Sequence, residues 1–64
     1  MEDPIIAALA AMQNELTAAT QEALKFSGGN SAAGTRVRRA MQNIKSQAQL
    51  VRMEVQAKKN ESVL

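Results

Sequence analysis

The chain has 64 residues, a formal net charge of +2, and neither cysteine nor histidine. Those two absences exclude disulfides, cysteine–histidine zinc sites, and thiolate or imidazole catalysis. No catalytic motif or nucleotide-binding loop is present, so we expect no enzyme activity, cofactor, metal or small-molecule substrate. A chain this short buries only roughly 60% of its unfolded surface, and 12 of its 29 hydrophobic residues are alanine. Self-association is therefore the expected source of further stability.

The start of the chain predicts neither export nor membrane insertion. Acidic Glu2 and Asp3 stand where a signal peptide requires a basic segment. The longest apolar run has eight residues, from Ile5 to Met12, whereas a bilayer-spanning helix needs about 20. We expect a cytoplasmic protein that does not engage membranes.

The first predicted element is a helix over about residues 4–27. Asp3 followed by Pro4 is a favourable N-cap and first-turn pair. Apolar residues then recur at intervals of four and three, the heptad spacing of a helix packed against other helices. This seam comprises Ile5, Leu9, Met12, Leu16, Ala19, Ala23 and Phe26. Gly28 is expected to end the helix in the left-handed conformation.

A second helix is predicted over about residues 31–59, after a loop at 28–30. Asn30 or Ser31 can cap it, with Thr35 as a later candidate. Its seam has the same spacing and comprises Val37, Met41, Ile44, Ala48, Val51 and Val55. Gly34 either weakens the helix or allows another backbone to approach closely. Residues 60–64 are expected to fray.

Two helices joined by so short a loop predict an all-α, antiparallel helical hairpin. The side chains of Leu50, Met53 and Ala57 lie nearly opposite the second seam, where a single hairpin cannot bury them. We therefore predict an oligomer interface at these three residues, most simply in a dimeric four-helix bundle.

Charge is divided unevenly along the chain. Residues 1–35 carry one lysine and four carboxylates, a charge of −3, whereas residues 36–64 carry seven cations and two carboxylates, a charge of +5. Four of the cations recur every seven residues and form one row: Arg38, Lys45, Arg52 and Lys59. The row extends over roughly 31 Å at 1.5 Å per residue, close to one turn of B-DNA, about 34 Å.

The hairpin is predicted to leave this row without partners. Ile6, Gln13, Thr20 and Ser27 face it across the pair, and none is acidic, while Glu15 and Glu22 point away. A polyanion is therefore favoured over the alternative that the row is an ordinary solvated helix face. Three arginines also cluster near the start of helix two, where free backbone N–H groups suit phosphate. The candidate DNA-binding residues are Arg36, Arg38, Arg39, Lys45, Arg52, Lys58 and Lys59.

The stretch from Gly29 to Ala40 (GNSAAGTRVRRA) resembles the linker-histone-like proteins of chlamydiae and related bacteria, which carry a similar G-N-K-A-A-x-x-R-x-R segment. The likeness covers Gly28 to Lys59 and implies a helical, nucleoid-associated protein that binds and compacts duplex DNA without strong sequence preference. Arg36, Arg38 and Arg39 carry over most directly. Ser31 replaces the usual lysine, and we expect a form without the lysine-rich tail of chlamydial members. A short form of this kind is expected to bind more weakly per subunit and to depend more on oligomerisation.

Two other functions stay open at this point. One is a small oligomerisation or adaptor module that binds a partner protein through its apolar seams. The other, a membrane-surface helix, is disfavoured because helix two lacks an apolar face rich in Trp and Phe.

Overall fold

The computed structural model describes residues 3–63 and, of their side chains, those of residues 3–61. α1 spans Pro4–Ser27 and α2 spans Ser31–Val63. The helices run antiparallel and pack along their length, so the all-α helical hairpin is confirmed. The described chain measures 54 × 19 × 12 Å, a flat rod one helix thick.

Side-chain caps fix both helix starts. The Asp3 carboxylate accepts hydrogen bonds from the backbone N–H groups of Ile5, at 2.8 Å, and Ile6, at 3.3 Å, with Pro4 at the first helical position. Asn30 is the cap of α2, because its side-chain oxygen accepts from the Ala33 N–H at 3.3 Å. Both caps were among those predicted, and each satisfies donors that have no partner inside the helix.

The prediction named the wrong glycine of the turn as the left-handed residue. Gly28 has an ordinary φ of −81°, and Gly29 takes the positive φ of 105°. The Gly29 N–H donates to the Phe26 carbonyl and the Asn30 N–H to the Lys25 carbonyl, each at 3.0 Å. This pair of bonds defines a Schellman motif, which places the left-handed residue one position beyond the helix cap.

The end of α2 was predicted too early. The helix continues through residues 60–63 instead of fraying after Lys59, so the expected frayed tail is wrong for those residues, and Leu64 lies outside the described residues. Gln56 and Asn60 share a side-chain hydrogen bond of 3.1 Å across one turn near this end. Side-chain pairs four residues apart stabilise an exposed helix. The apolar pattern, which fades after Lys59, gave no indication of this stabilisation.

Alanine forms the contact line between the helices. Among the described side chains, the buried apolar ones are Ala19, Ala33 and Ala40. Small side chains allow two helices to approach closely. The larger apolar side chains among residues 3–61 are only partly buried or exposed.

The predicted seams are therefore only half covered. Ile5, Met12, Val37, Ile44 and Val51 are at least partly buried. The alternate seam positions Leu9, Leu16, Met41 and Val55 are exposed, and so is Phe26 at the helix end. Only one column of each seam is hairpin core, because each helix turns that column toward the other helix and leaves its second column open. We call the surface formed by Leu9, Leu16, Met41 and Val55 the open apolar face.

Candidate nucleic-acid interface

The four cations of the basic row lie along one exposed edge of α2. Because Arg38, Lys45, Arg52 and Lys59 are seven residues apart on a continuous helix, their side chains leave it in nearly the same direction, drifting by about 20° per heptad. All four residues are exposed. Within residues 3–61, none of them takes part in a salt bridge. The edge is thus a line of uncompensated positive charge.

Two other candidate DNA-binding residues form salt bridges with carboxylates in α1 or at its N-cap. The Arg36 Nε–H donates to Glu22 Oε2 at 2.6 Å, and Lys58 Nζ lies 3.3 Å from Asp3 Oδ2. The hydrogen bond from Arg36 is the main reason that the pKa of Glu22 is lowered, with smaller help from Lys25. The pKa of Asp3 is also lowered, first by its two backbone N–H donors and then by Lys58.

These contacts lie on the surface of the hairpin opposite the open apolar face. Glu15 accepts a hydrogen bond from the Asn43 amide at 3.0 Å, one heptad along from the pair of Glu22 and Arg36. We call this surface, formed by Glu15, Glu22, Arg36 and Asn43, the bridged face. The two glutamates do point away from the basic row, as predicted, but they bridge to α2 and are partly buried, instead of lying on solvated helix faces.

Sequence reasoning missed these cross-helix contacts, although a signal for them existed. The residue numbers in the pairs Glu15–Asn43 and Glu22–Arg36 both sum to 58. In an antiparallel hairpin, residues with a constant sum lie at the same height. Once the turn is placed at residues 28–30, that rule pairs each glutamate with a specific donor on α2.

The three arginines near the start of α2 leave the helix in different directions. Successive helical residues project about 100° apart, so Arg36, Arg38 and Arg39 point to three different sides, and Arg36 is held by Glu22. Arg38 and Arg39 do share a shallow surface depression with Thr35 and Gln42. A second depression farther along α2 includes Lys45, Gln49 and Arg52. Arg39 therefore lies beside the N-terminal end of the basic row, on the adjoining side of α2.

The predicted oligomer residues lie on α2 away from the α1 contact. Leu50 and Met53 are each 57% exposed, and Ala57 is also exposed. Their position off the seam agrees with the prediction. Their role in assembly stays a prediction.

Other kinds of site are not supported in the described part of the chain. Among residues 3–63, no cluster of His, Cys, Asp and Glu has the composition of a metal site. No described helix is long and apolar enough to cross a bilayer.

Comparison with known proteins identifies the family. Neither the curated proteins nor the solved structures contain a match to this chain. The family model described as histone H1-like protein Hc1 matches residues 7–61, which include most of α1, the turn and nearly all of α2. Because that match covers far more than half of the sequence, the chain belongs to the Hc1 family of histone H1-like, DNA-binding proteins.

Proposed function

We propose that this protein binds duplex DNA without sequence preference, in the nucleoid of the cytoplasm, and that the basic row supplies the contacts. The observation that carries the proposal is the exposed line of Arg38, Lys45, Arg52 and Lys59, which has no salt bridge within residues 3–61. Every carboxylate of α1 that takes part in a described contact lies away from this edge. A duplex approaching the row thus meets positive charge that no salt bridge within residues 3–61 offsets.

The geometry of the row suits the DNA backbone. A straight α2 holds the four cations at intervals of about 10.5 Å, so that they span roughly 31 Å. Contacts of this kind to phosphates position a protein without reading sequence. Gln42 and Gln49 lie between the cations and offer amide groups for further phosphate or groove-edge contacts.

Arg39 adds a fifth cation beside one end of the row, in the depression that it shares with Arg38. We assign Arg36 and Lys58 a smaller part of the DNA binding than the sequence suggested, because each already forms a salt bridge, Arg36 with Glu22 and Lys58 with Asp3. The protein contains no Trp or Tyr, and its one aromatic side chain, Phe26, packs against Gly34. This favours duplex DNA over single strands bound by base stacking.

Compaction requires that one particle hold more than one DNA segment. A single hairpin presents one basic row, whereas a homodimer presents two. We therefore include homodimerisation in the proposed function, with bridging of two duplex segments as the route to compaction.

Binding to short duplexes of unrelated sequence, followed by fluorescence anisotropy over a series of salt concentrations, tests the proposal. The row variant carries Arg38→Gln, Lys45→Gln and Arg52→Gln. The control variant carries Lys25→Gln, Arg36→Gln and Lys58→Gln, which removes the same charge from the salt-bridged cations. Circular dichroism establishes that both variants remain helical.

We expect wild-type affinity to fall steeply with salt, by about 0.9 in log K per log salt for each phosphate engaged. The row variant should lose most of its affinity and show a flatter salt dependence, whereas the control should retain a slope near that of wild type. Equal losses in the two variants would mean that only net charge matters, and would overturn the assignment to the row. Absence of wild-type binding at low salt would overturn the function itself.

A further inference from the structure

The hairpin leaves part of the apolar heptad pattern of each helix uncovered. The seams of α1 and α2 each contain two columns of apolar residues in heptad spacing, and both columns are normally covered when helices pack in a coiled coil or a bundle. The hairpin covers one column. The other forms the open apolar face, where Leu16 is 55% exposed and Met41 is 42% exposed.

We infer that the open apolar face is the contact surface for a second copy of this chain. Both helices contribute large side chains to it: Leu9 and Leu16 from α1, and Met41 and Val55 from α2. A second hairpin laid on this face completes both heptad seams at once. The contacts of Glu15 and Glu22 place both of these carboxylates on the bridged face and not on this one.

The size of the surface agrees with this occupant. The two helices lie side by side over the 24 residues of α1, about 36 Å at 1.5 Å per residue. With the hairpin's width of 19 Å, that length gives a face of roughly 700 Å², close to the value of about 800 Å² per partner in a standard stable interface. Among the side chains of residues 3–61, the buried apolar ones in the single hairpin are all alanine. A second copy supplies the burial of larger side chains that a chain of this size requires.

This interface differs from the one that Leu50, Met53 and Ala57 suggest. Those residues belong to α2 alone. A partner that reached across to α1 on that side of the hairpin would cover the bridged face and take its hydrogen-bonded carboxylates out of water, which costs free energy. The four residues that define the open apolar face are uncharged.

Charge also determines how the two copies stack. The basic row borders the open apolar face on the α2 side, whereas Gln13 and Thr20 border it on the α1 side. Placing α2 over the partner's α2 would bring two basic rows together. Placing α1 of each copy over the partner's α2 sets each row beside uncharged residues instead. The two rows then lie on opposite edges of a four-helix bundle.

Measurement of mass in solution, by sedimentation equilibrium over a micromolar concentration series, tests the interface. We expect a wild-type dimer. The double variant Leu9→Lys/Leu16→Lys should shift to monomer by at least tenfold in dissociation constant. The matched control Leu50→Lys/Met53→Lys adds the same two charges and should remain dimeric. A monomeric wild type, or dissociation of the control alone, would overturn the inference.

Cross-linking provides a measurement that does not depend on the stability of the lysine variants. The natural chain has no cysteine, so an introduced cysteine reports only its own position. Because Glu15 bonds to Asn43, Leu16 and Met41 lie at nearly the same height, and the proposed stacking sets each near the other in the partner. Chains carrying Leu16→Cys and Met41→Cys, refolded together and treated with an oxidant, should form the mixed disulfide dimer. Efficient linking within the Leu16→Cys sample alone would show α1 stacked on α1 and contradict the arrangement.

Two rows on opposite edges allow one dimer to hold two duplexes, an extension that rests on the proposed function. An immobilised duplex should retain a second, labelled duplex when wild-type protein is present. The Leu9→Lys/Leu16→Lys variant should still bind DNA in the anisotropy assay but lose this bridging. Loss of bridging in the control variant instead would overturn the extension, whereas loss of all DNA binding in wild type would overturn the proposed function and leave the mass measurement unaffected.

Discussion

The ring of Phe26 occupies the space beside Gly34, so that a β-carbon added at Gly34 would lie 2.7 Å from Phe26 Cε1. The end of α1 thereby packs on the start of α2 directly across the turn. The close approach considered for Gly34 is real, but the approaching group is an aromatic side chain and not a backbone.

This contact predicts that the effect of alanine at position 34 depends on Phe26. In a helix, glycine is less favourable than alanine by about 1 kcal/mol. Gly34→Ala alone should be neutral or destabilising, because the ring must move. In a Phe26→Ala background the same change should stabilise the hairpin by about 1 kcal/mol. Thermal unfolding of the four chains measures this coupling, and additive effects would show that the ring does not constrain Gly34.

The two glycines of the turn should respond differently to alanine. Gly29 has a φ of 105°, so Gly29→Ala should destabilise the hairpin by roughly 1–2 kcal/mol. At Gly28 an added β-carbon meets only ordinary contacts, 3.5 Å from the Lys25 carbonyl oxygen. Gly28→Ala should therefore change stability by less than about 0.5 kcal/mol. Thermal melts at one protein concentration distinguish the variants, and equal effects would contradict the turn geometry.

The sequence predicted those features that local chemistry determines. The Asp3 and Asn30 caps, the break at Gly28-Gly29 and the bounds of α1 depend on a few adjacent residues. The rotation of each helix about its axis was not predictable in the same way. A heptad seam has two columns, and choosing between them depends on how closely Ala19, Ala33 and Ala40 allow the helices to approach. The basic row was identifiable because seven-residue spacing keeps it together whichever column is covered.

Gln47 places a polar atom in the helix contact. Its side-chain oxygen is buried and accepts no hydrogen bond from the described residues. A buried acceptor without a partner costs about 1–3 kcal/mol. Gln47→Met keeps the side-chain length and should raise stability by roughly 1 kcal/mol, or about 4–8 °C in Tm. Gln49→Met, at an exposed position on the same helix, is the control and should have little effect. A lower Tm for Gln47→Met would show that the amide has a stabilising partner.

Acid should weaken the hairpin through Asp3 and Glu22. Folding lowers the pKa of both carboxyls, so the stability they contribute is fully present above their ordinary values of 3.8 and 4.5 and disappears as pH falls through the lowered values. Tm should be nearly constant from neutral pH to about 5 and should fall below about 4.5. In the Glu22→Gln variant, Tm should decrease less steeply over this acidic range. An unchanged pH profile in this variant would mean that the contact with Arg36 does not contribute to stability.

Two glutamate substitutions test whether Arg36 belongs to the DNA-binding surface. Glu22→Gln removes the carboxylate that holds Arg36, whereas Glu15→Gln removes the same charge beside the uncharged Asn43. If the basic row alone engages DNA, both changes act only through net charge. Each should then tighten binding slightly and equally, with an unchanged salt slope. A larger gain for Glu22→Gln, with a slope steeper by about 0.9 for each added phosphate contact, would place the released Arg36 against the duplex. That result would require the DNA to reach the bridged face as well as the row.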